Sequence, residues 1–109
     1  MKLAATVLYV DSVPSVLDFY GRAFALEPSF VDLYVQLPGR DPGKLYQFAS
    51  IDAGGGTLQF GTHDLGSLLM PAYRRAPTGQ PSGVEIAFYA ADVHGAYRRA
   101  VDAGADPVF

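Results

Sequence analysis

The residues able to do chemistry in this chain are few. There is no cysteine, which removes thiolate nucleophiles, disulfides and Cys-ligated zinc. Two histidines remain, too few to argue for a Ser-His-Asp arrangement. His63, followed by Asp64, has the composition of a base oriented by a carboxylate. Neighbours at a strand end point to opposite sides, however, so His63 reads as a solvated loop residue. His94 falls in the first turn of a helix and is expected to face water. Arg74-Arg75, just after Tyr73, could close over an anionic ligand, but the pair reads more simply as a solvated turn. Met70 and Tyr73 suit either a lid or a subunit contact. Gly54-Gly55-Gly56 lacks the Lys-Ser/Thr of a phosphate loop and leads into a strand, so it is a turn. Gln59 differs from these. Leu58 and Phe60 on either side must face a core, which forces Gln59 onto the opposite face with Thr57 and Gly61.

These groups must be positioned by a single small domain. Half of the 109 residues are hydrophobic and only 17% are charged, against about a quarter in an ordinary soluble domain. That balance excludes a disordered chain and points to apolar surface covered by a partner. A net charge of -3 and a pI near 5.1 offer nothing to a phosphate backbone, and Arg74-Arg75 and Arg98-Arg99 are too short for an electrostatic footprint, so no nucleic-acid partner is expected. The apolar start of the chain meets Asp11 and Pro14 too soon for a signal peptide. No stretch approaches the roughly 18 apolar residues that span a bilayer. With no cysteine either, the expected location is the cytoplasm.

Taken in order, Leu3 to Val10 reads as a strand with Ala5, Val7 and Tyr9 on one face. Ser12 is then an N-cap and Pro14 sits in the first turn. The helix that follows buries Val13, Val16, Phe19, Tyr20 and Ala23 and ends near Leu26, before Pro28. Phe30 to Leu37 is a second strand, closed by a Pro- and Gly-rich turn, 38–43, expected to be exposed and mobile. Leu45 to Asp52 and Thr57 to Thr62 form a hairpin through Ala53-Gly54-Gly55-Gly56. Thr62 to Ser82 is irregular. From there the pattern restarts: Glu85-Ile86-Ala87-Phe88-Tyr89 lies 80 positions after Ala5-Thr6-Val7-Leu8-Tyr9, and a helix again begins on a Val. That helix is expected to bury Val93, Ala96, Tyr97, Ala100 and Val101, with Gly104 at its C-cap.

The run Val7-Leu8-Tyr9-Val10-Asp11-Ser12 with Phe19-Tyr20, the Gly-rich turn within Ile51 to Phe60, and Glu85-Ile86-Ala87-Phe88 with Asp92-Val93 and Ala103-Gly104-Ala105 carry a resemblance across essentially the whole chain. Their order is similar to that of the vicinal oxygen chelate superfamily, the glyoxalase, bleomycin-resistance and extradiol-dioxygenase group. The resemblance implies an α+β fold of paired βαβββ modules that curl a mixed sheet into a cup with helices outside. Residues 1–62 would be the first module, 63–82 a linker and 83–109 the start of a second. Three more strands would be needed to close that second module. Either the chain is a piece of a longer polypeptide, the favoured expectation, or another chain supplies the edge.

Metal-dependent members of that superfamily place His and carboxylate ligands on facing strands, where the ion acts as a Lewis acid on paired substrate oxygens. The corresponding positions here are Ala5, Gln59 and Glu85. One good ligand of three does not make a first-row metal site, so neither a metal nor any other cofactor is expected, and no catalytic residue is assigned. Glu85 is then either a strand-end carboxylate without a role or a pocket group beside Gln59. On the second reading, the ligand-binding face comprises Glu85, Gln59, Tyr9, Tyr89, Val7 and Ala87, an apolar and aromatic lining suited to an organic molecule. The implied function is a metal-independent small-molecule binding protein, taking an aromatic or cationic compound such as an antibiotic, in a homodimer. The alternatives are a lyase or dioxygenase-type enzyme with an atypical site, or a structural or regulatory domain whose cup has lost its ligand.

Overall fold

The computed structural model describes residues 1–37 and 45–108, and the turn expected at 38–43 lies outside them. The elements run β1 (Thr6–Val10), α1 (Val13–Phe24), β2 (Pro28–Val35), β3 (Tyr46–Asp52), β4 (Thr57–Thr62), α2 (His63–Leu69) and α3 (Val93–Asp102). The four strands form one mixed sheet in the order β1-β4-β3-β2. β1 is parallel to β4, while the other two pairings are antiparallel. The class is therefore α+β.

Alternation along the strands decides where the core lies. Phe60 on β4 stands between Leu8 on β1 and Ala49 on β3, and one residue along the strands the pattern flips to Val7, Gln59 and Ser50. The first set faces α1. Val13, Ala49, Ile51, Leu58 and Phe60 form its buried centre, with Leu8, Val10, Val16, Leu17 and Tyr20 packed around them. β2 carries register shifts against β3, between Pro28 and Phe30 and between Asp32 and Val35, which interrupt its alternation. The hairpin turn closes through Gly54, which takes a φ of 89° that other residues rarely adopt. Its amide donates to Asp52 Oδ1 at 2.9 Å.

α1 is fixed at both ends. The Ser15 amide donates to the Ser12 hydroxyl at 3.3 Å, and the Val13 amide donates to Gln47 Oε1 of β3 at 3.1 Å, so a sheet residue satisfies one of the helix's orphan donors. At the other end Ala25 turns into the left-handed region, φ 56°. α3 starts 80 positions after α1, and Asp92 caps it through the Gly95 amide at 2.9 Å, as Ser12 caps α1. The two helices are tied by Arg99, whose Nε and Nη2 donate to the carbonyls of Arg22 and Gly21 at 2.6 and 3.2 Å.

Three expectations are corrected. The stretch read as wholly irregular contains α2, whose Leu65 and Gly66 are buried. The strand expected over Glu85 to Tyr89 does not form, and the segment joins no ladder: Ile86 packs on the core and the Phe88 ring lies 4.8 Å from that of Phe24, but open space separates this segment from the free edge of β1. α3 buries none of its residues fully, and Val93 and Tyr97 remain 66% and 50% exposed. The reason is that α3 packs mainly on α1, so only the Ala96, Ala100 and Val101 side of its apolar stripe is half-covered.

Candidate functional site

The site follows from β1 being an edge strand. Its inner neighbour is β4; along its other side runs a cavity of about 730 Å³, within the usual range for organic ligands. α1 contributes Phe19, Tyr20 and Phe24 to the wall, the segment before α3 contributes Val84, Ile86 and Phe88, and β1 contributes Val7 to Val10. The chain after α2 closes one end with Tyr73, Arg74, Arg75 and Ala76, beside His63. Tyr20 stacks obliquely on Phe60, 5.0 Å between centroids, and makes an edge contact with Phe24 at 5.3 Å. The aromatic wall is thus continuous with the core and held by it.

The polar end is a linked cluster. His63 begins α2, with Nε2 3.4 Å from Asp11 Oδ1 just past the end of β1. Its Nδ1 is hydrogen-bonded to the Tyr73 hydroxyl. Asp11 is exposed, and its Oδ1 also accepts from Arg75 Nη2 at 2.8 Å. An imidazole tautomer with its proton on Nε2 would donate toward Asp11 and accept at Nδ1 from the Tyr73 O–H. Burial pushes the Tyr73 phenol above its ordinary value; Arg75 opposes this, while Tyr9 and Asp11 add to it. Tyr73 is accordingly a neutral phenol at physiological pH. Its ring also sets an edge against Tyr9, 5.2 Å between centroids. α2 presses on Tyr9 from above, where a Cβ on Gly66 would come within 3.0 Å of the ring, so a glycine is what allows the approach.

His63 is therefore not the solvated loop residue that strand-end alternation led us to expect; it begins α2 and is half-buried. Its partner is a different carboxylate, 52 residues away, reached because α2 folds back on β1. His94 is exposed, as expected. Arg75 is not a merely solvated residue, since it pairs with Asp11; Arg74 turns back onto the carbonyls of Tyr73 and Pro71 at 2.8 and 3.5 Å.

Of the six residues expected on the ligand face, Val7 and Tyr9 line this cavity. Ala87 and Tyr89 line a neighbouring one of about 530 Å³, with Ala5 and Leu58, nearer the start of β1. Gln59 is half-buried beside Val7 and Ser50 on the sheet face away from α1, and Glu85 is exposed; neither is among the lining residues of the two cavities. The residues that sequence reasoning left out are Asp11, His63, Tyr73 and Arg75 as a group. No local spacing links residues 11, 63 and 75. The one available signal was the Tyr-Arg-Arg run in a long connection.

Ala5 has no donor, Gln59 offers a neutral amide and Glu85 stands in solvent, so this set does not fit the metal centre that the resemblance would imply. Among the described residues no group of three or more His, Asp or Glu side chains is placed to hold an ion. No helix among them is long and apolar enough to cross a membrane. The chain matches no family model, no curated protein and no solved structure.

Proposed function

We propose that the chain is a glyoxalase- and bleomycin-resistance-like protein, built on paired βαβββ modules, that binds a small aromatic compound without a metal. The observation that carries this reading is the aromatic cavity at the free edge of β1, with Tyr9, Phe19, Tyr20, Phe24, Tyr73 and Phe88 in its wall. Rigid rings already packed on a core lose little entropy when a ligand stacks on them, so most of the apolar contact is converted into affinity. The βαβββ order of β1, α1, β2, β3 and β4, and the capped helix start repeated 80 positions later, support the superfamily reading. A cationic ligand draws less support, because the charged side chains lining the cavity are Arg74 and Arg75. The protein acts in the cytoplasm and as a homodimer on this proposal. The exposed Val84, Tyr89, Val93 and Tyr97 supply apolar surface for self-association. A clean monomer on size-exclusion chromatography at high concentration would count against the dimer.

The test of binding is a thermal-shift screen against planar aromatic compounds. A saturable rise in melting temperature is expected, and no rise with any compound would leave a domain that has lost its ligand. Stoichiometric zinc, nickel, manganese or iron in the purified protein would overturn the metal-free reading. A lyase or dioxygenase-type enzyme with an atypical site is the second reading, favoured by the Asp11–His63–Tyr73 chain, which could pass a proton to or from a bound molecule. Conversion of a cavity ligand that is lost in His63→Gln would decide for it.

A further inference from the structure

We propose that the ligand is an aromatic monocarboxylate whose acid group is held by Arg75 at the polar end of the cavity. This rests on the small-molecule reading above and specifies the chemistry of the ligand.

The polar end of the cavity keeps free hydrogen-bonding capacity. Arg75 donates to Asp11 through Nη2 alone among the described contacts, and a guanidinium carries five N–H groups in a planar fork. Its side chain is 53% exposed, at the cavity rim and facing solvent, and the Asp11 side chain is 75% exposed. A pair so exposed is weak, so a carboxylate arriving from the aromatic wall can share or take the fork at small cost. Arg74 stands in the same lining but is turned onto backbone carbonyls, which leaves Arg75 as the arginine with the freer fork for a ligand carboxylate. No carboxylate is among the described lining residues. A cationic ligand would meet Arg75 in the lining, where the neighbouring Asp11 carboxylate is already paired with that arginine, and a neutral one would leave the other N–H groups of the fork unused. A fork-to-carboxylate contact is also short, planar and directional, so the flat aromatic body would be delivered onto the rings of Tyr9, Tyr73 and Phe88.

Four probes of one shape test this on the full chain by calorimetry: 2-naphthoate, 2-naphthalenemethanol, 2-naphthylmethylamine and 2-naphthyl phosphate. The expected order places 2-naphthoate about tenfold tighter than the alcohol, with the amine weakest. Arg75→Gln should remove that tenfold advantage and leave the affinity for the alcohol unchanged, while Arg98→Gln, which is not among the residues lining the cavity, should change neither. Equal binding of acid and alcohol, tighter binding of the amine or the phosphate, or an acid preference that survives Arg75→Gln would each overturn the inference while leaving aromatic binding intact. If none of the four binds, the binding function itself fails, and this inference with it. Because the alcohol reports the cavity independently of Arg75, a variant that misfolds is recognised by losing both ligands, and Arg75→Lys then replaces it, with a reduced acid preference expected and a full one contradictory.

Discussion

Asp11 Oδ1 accepts from Arg75 Nη2 at 2.8 Å across 64 residues of chain, and the same oxygen lies 3.4 Å from His63 Nε2. One exposed carboxylate thus ties the end of β1 to both the start and the outlet of the segment carrying α2. If Asp11 is the internal rival of a ligand for Arg75, its removal strengthens acid binding. Asp11→Asn is expected to tighten 2-naphthoate about two- to fivefold, the scale of an exposed ion pair, as read by calorimetry. Weaker binding would mean that Asp11 holds Arg75 in place and does not compete for it.

Ala25 ends α1 with a φ of 56°, in a region where a Cβ costs about 1 kcal/mol or more. Its amide still closes the helix on the Gly21 carbonyl at 3.1 Å. Ala25→Gly relieves the strain and keeps that bond, against a somewhat larger entropy loss on folding. A net gain of about 0.5 kcal/mol is expected in urea denaturation, with an unchanged slope.

Arg99 places its guanidinium on the last carbonyls of α1, where the helix dipole favours a cation. The site is exposed, which limits its worth. Arg99→Ala should cost about 1 kcal/mol, and Arg98→Ala, for which no such bond is described, should lie within about 0.5 kcal/mol of the parent. Equal effects would mean that the strap between α1 and α3 adds nothing beyond surface charge.

Burial raises the Tyr20 phenol above its ordinary value of 10.0. A group held protonated by the fold contributes stability that is intact below the unfolded-state value and is lost as pH rises through the folded one. The chain should therefore lose stability above about pH 10, and Tyr20→Phe should flatten that alkaline limb while leaving the melting temperature at pH 7 within a few degrees. An unaltered limb would place the loss on other groups.

Much of the fold was legible from local pattern. Ser12 and Asp92 cap helices that begin on Val13 and Val93, as the 80-residue recurrence required, and Leu58 and Phe60 alternate with Gln59 across the sheet as a period of two demands. α2 was not legible. His63 to Leu69 is only seven residues long, with Gly66 inside it and no side-chain cap, and it is stabilised by Tyr9 beneath Gly66, a contact from outside its own segment. The Glu85 to Tyr89 strand failed for the opposite reason. Its composition suits a strand, but a ladder needs a partner edge, and composition does not report whether one is in reach. The candidate site shared that difficulty. Val7 and Tyr9 could be placed by alternation, whereas Asp11, His63 and Arg75 meet only because α2 folds back over the end of β1.

The account stands or falls on whether an aromatic ligand occupies the edge of β1. The most direct measurement is a titration of the ¹⁵N-labelled chain with 2-naphthoate, followed residue by residue in amide spectra. Saturable shifts are predicted at Val7 to Val10, at Phe19, Tyr20 and Phe24, and at Tyr73 to Ala76, with the strand Pro28–Val35 unmoved. No saturable shift, or shifts centred on that strand, would contradict it.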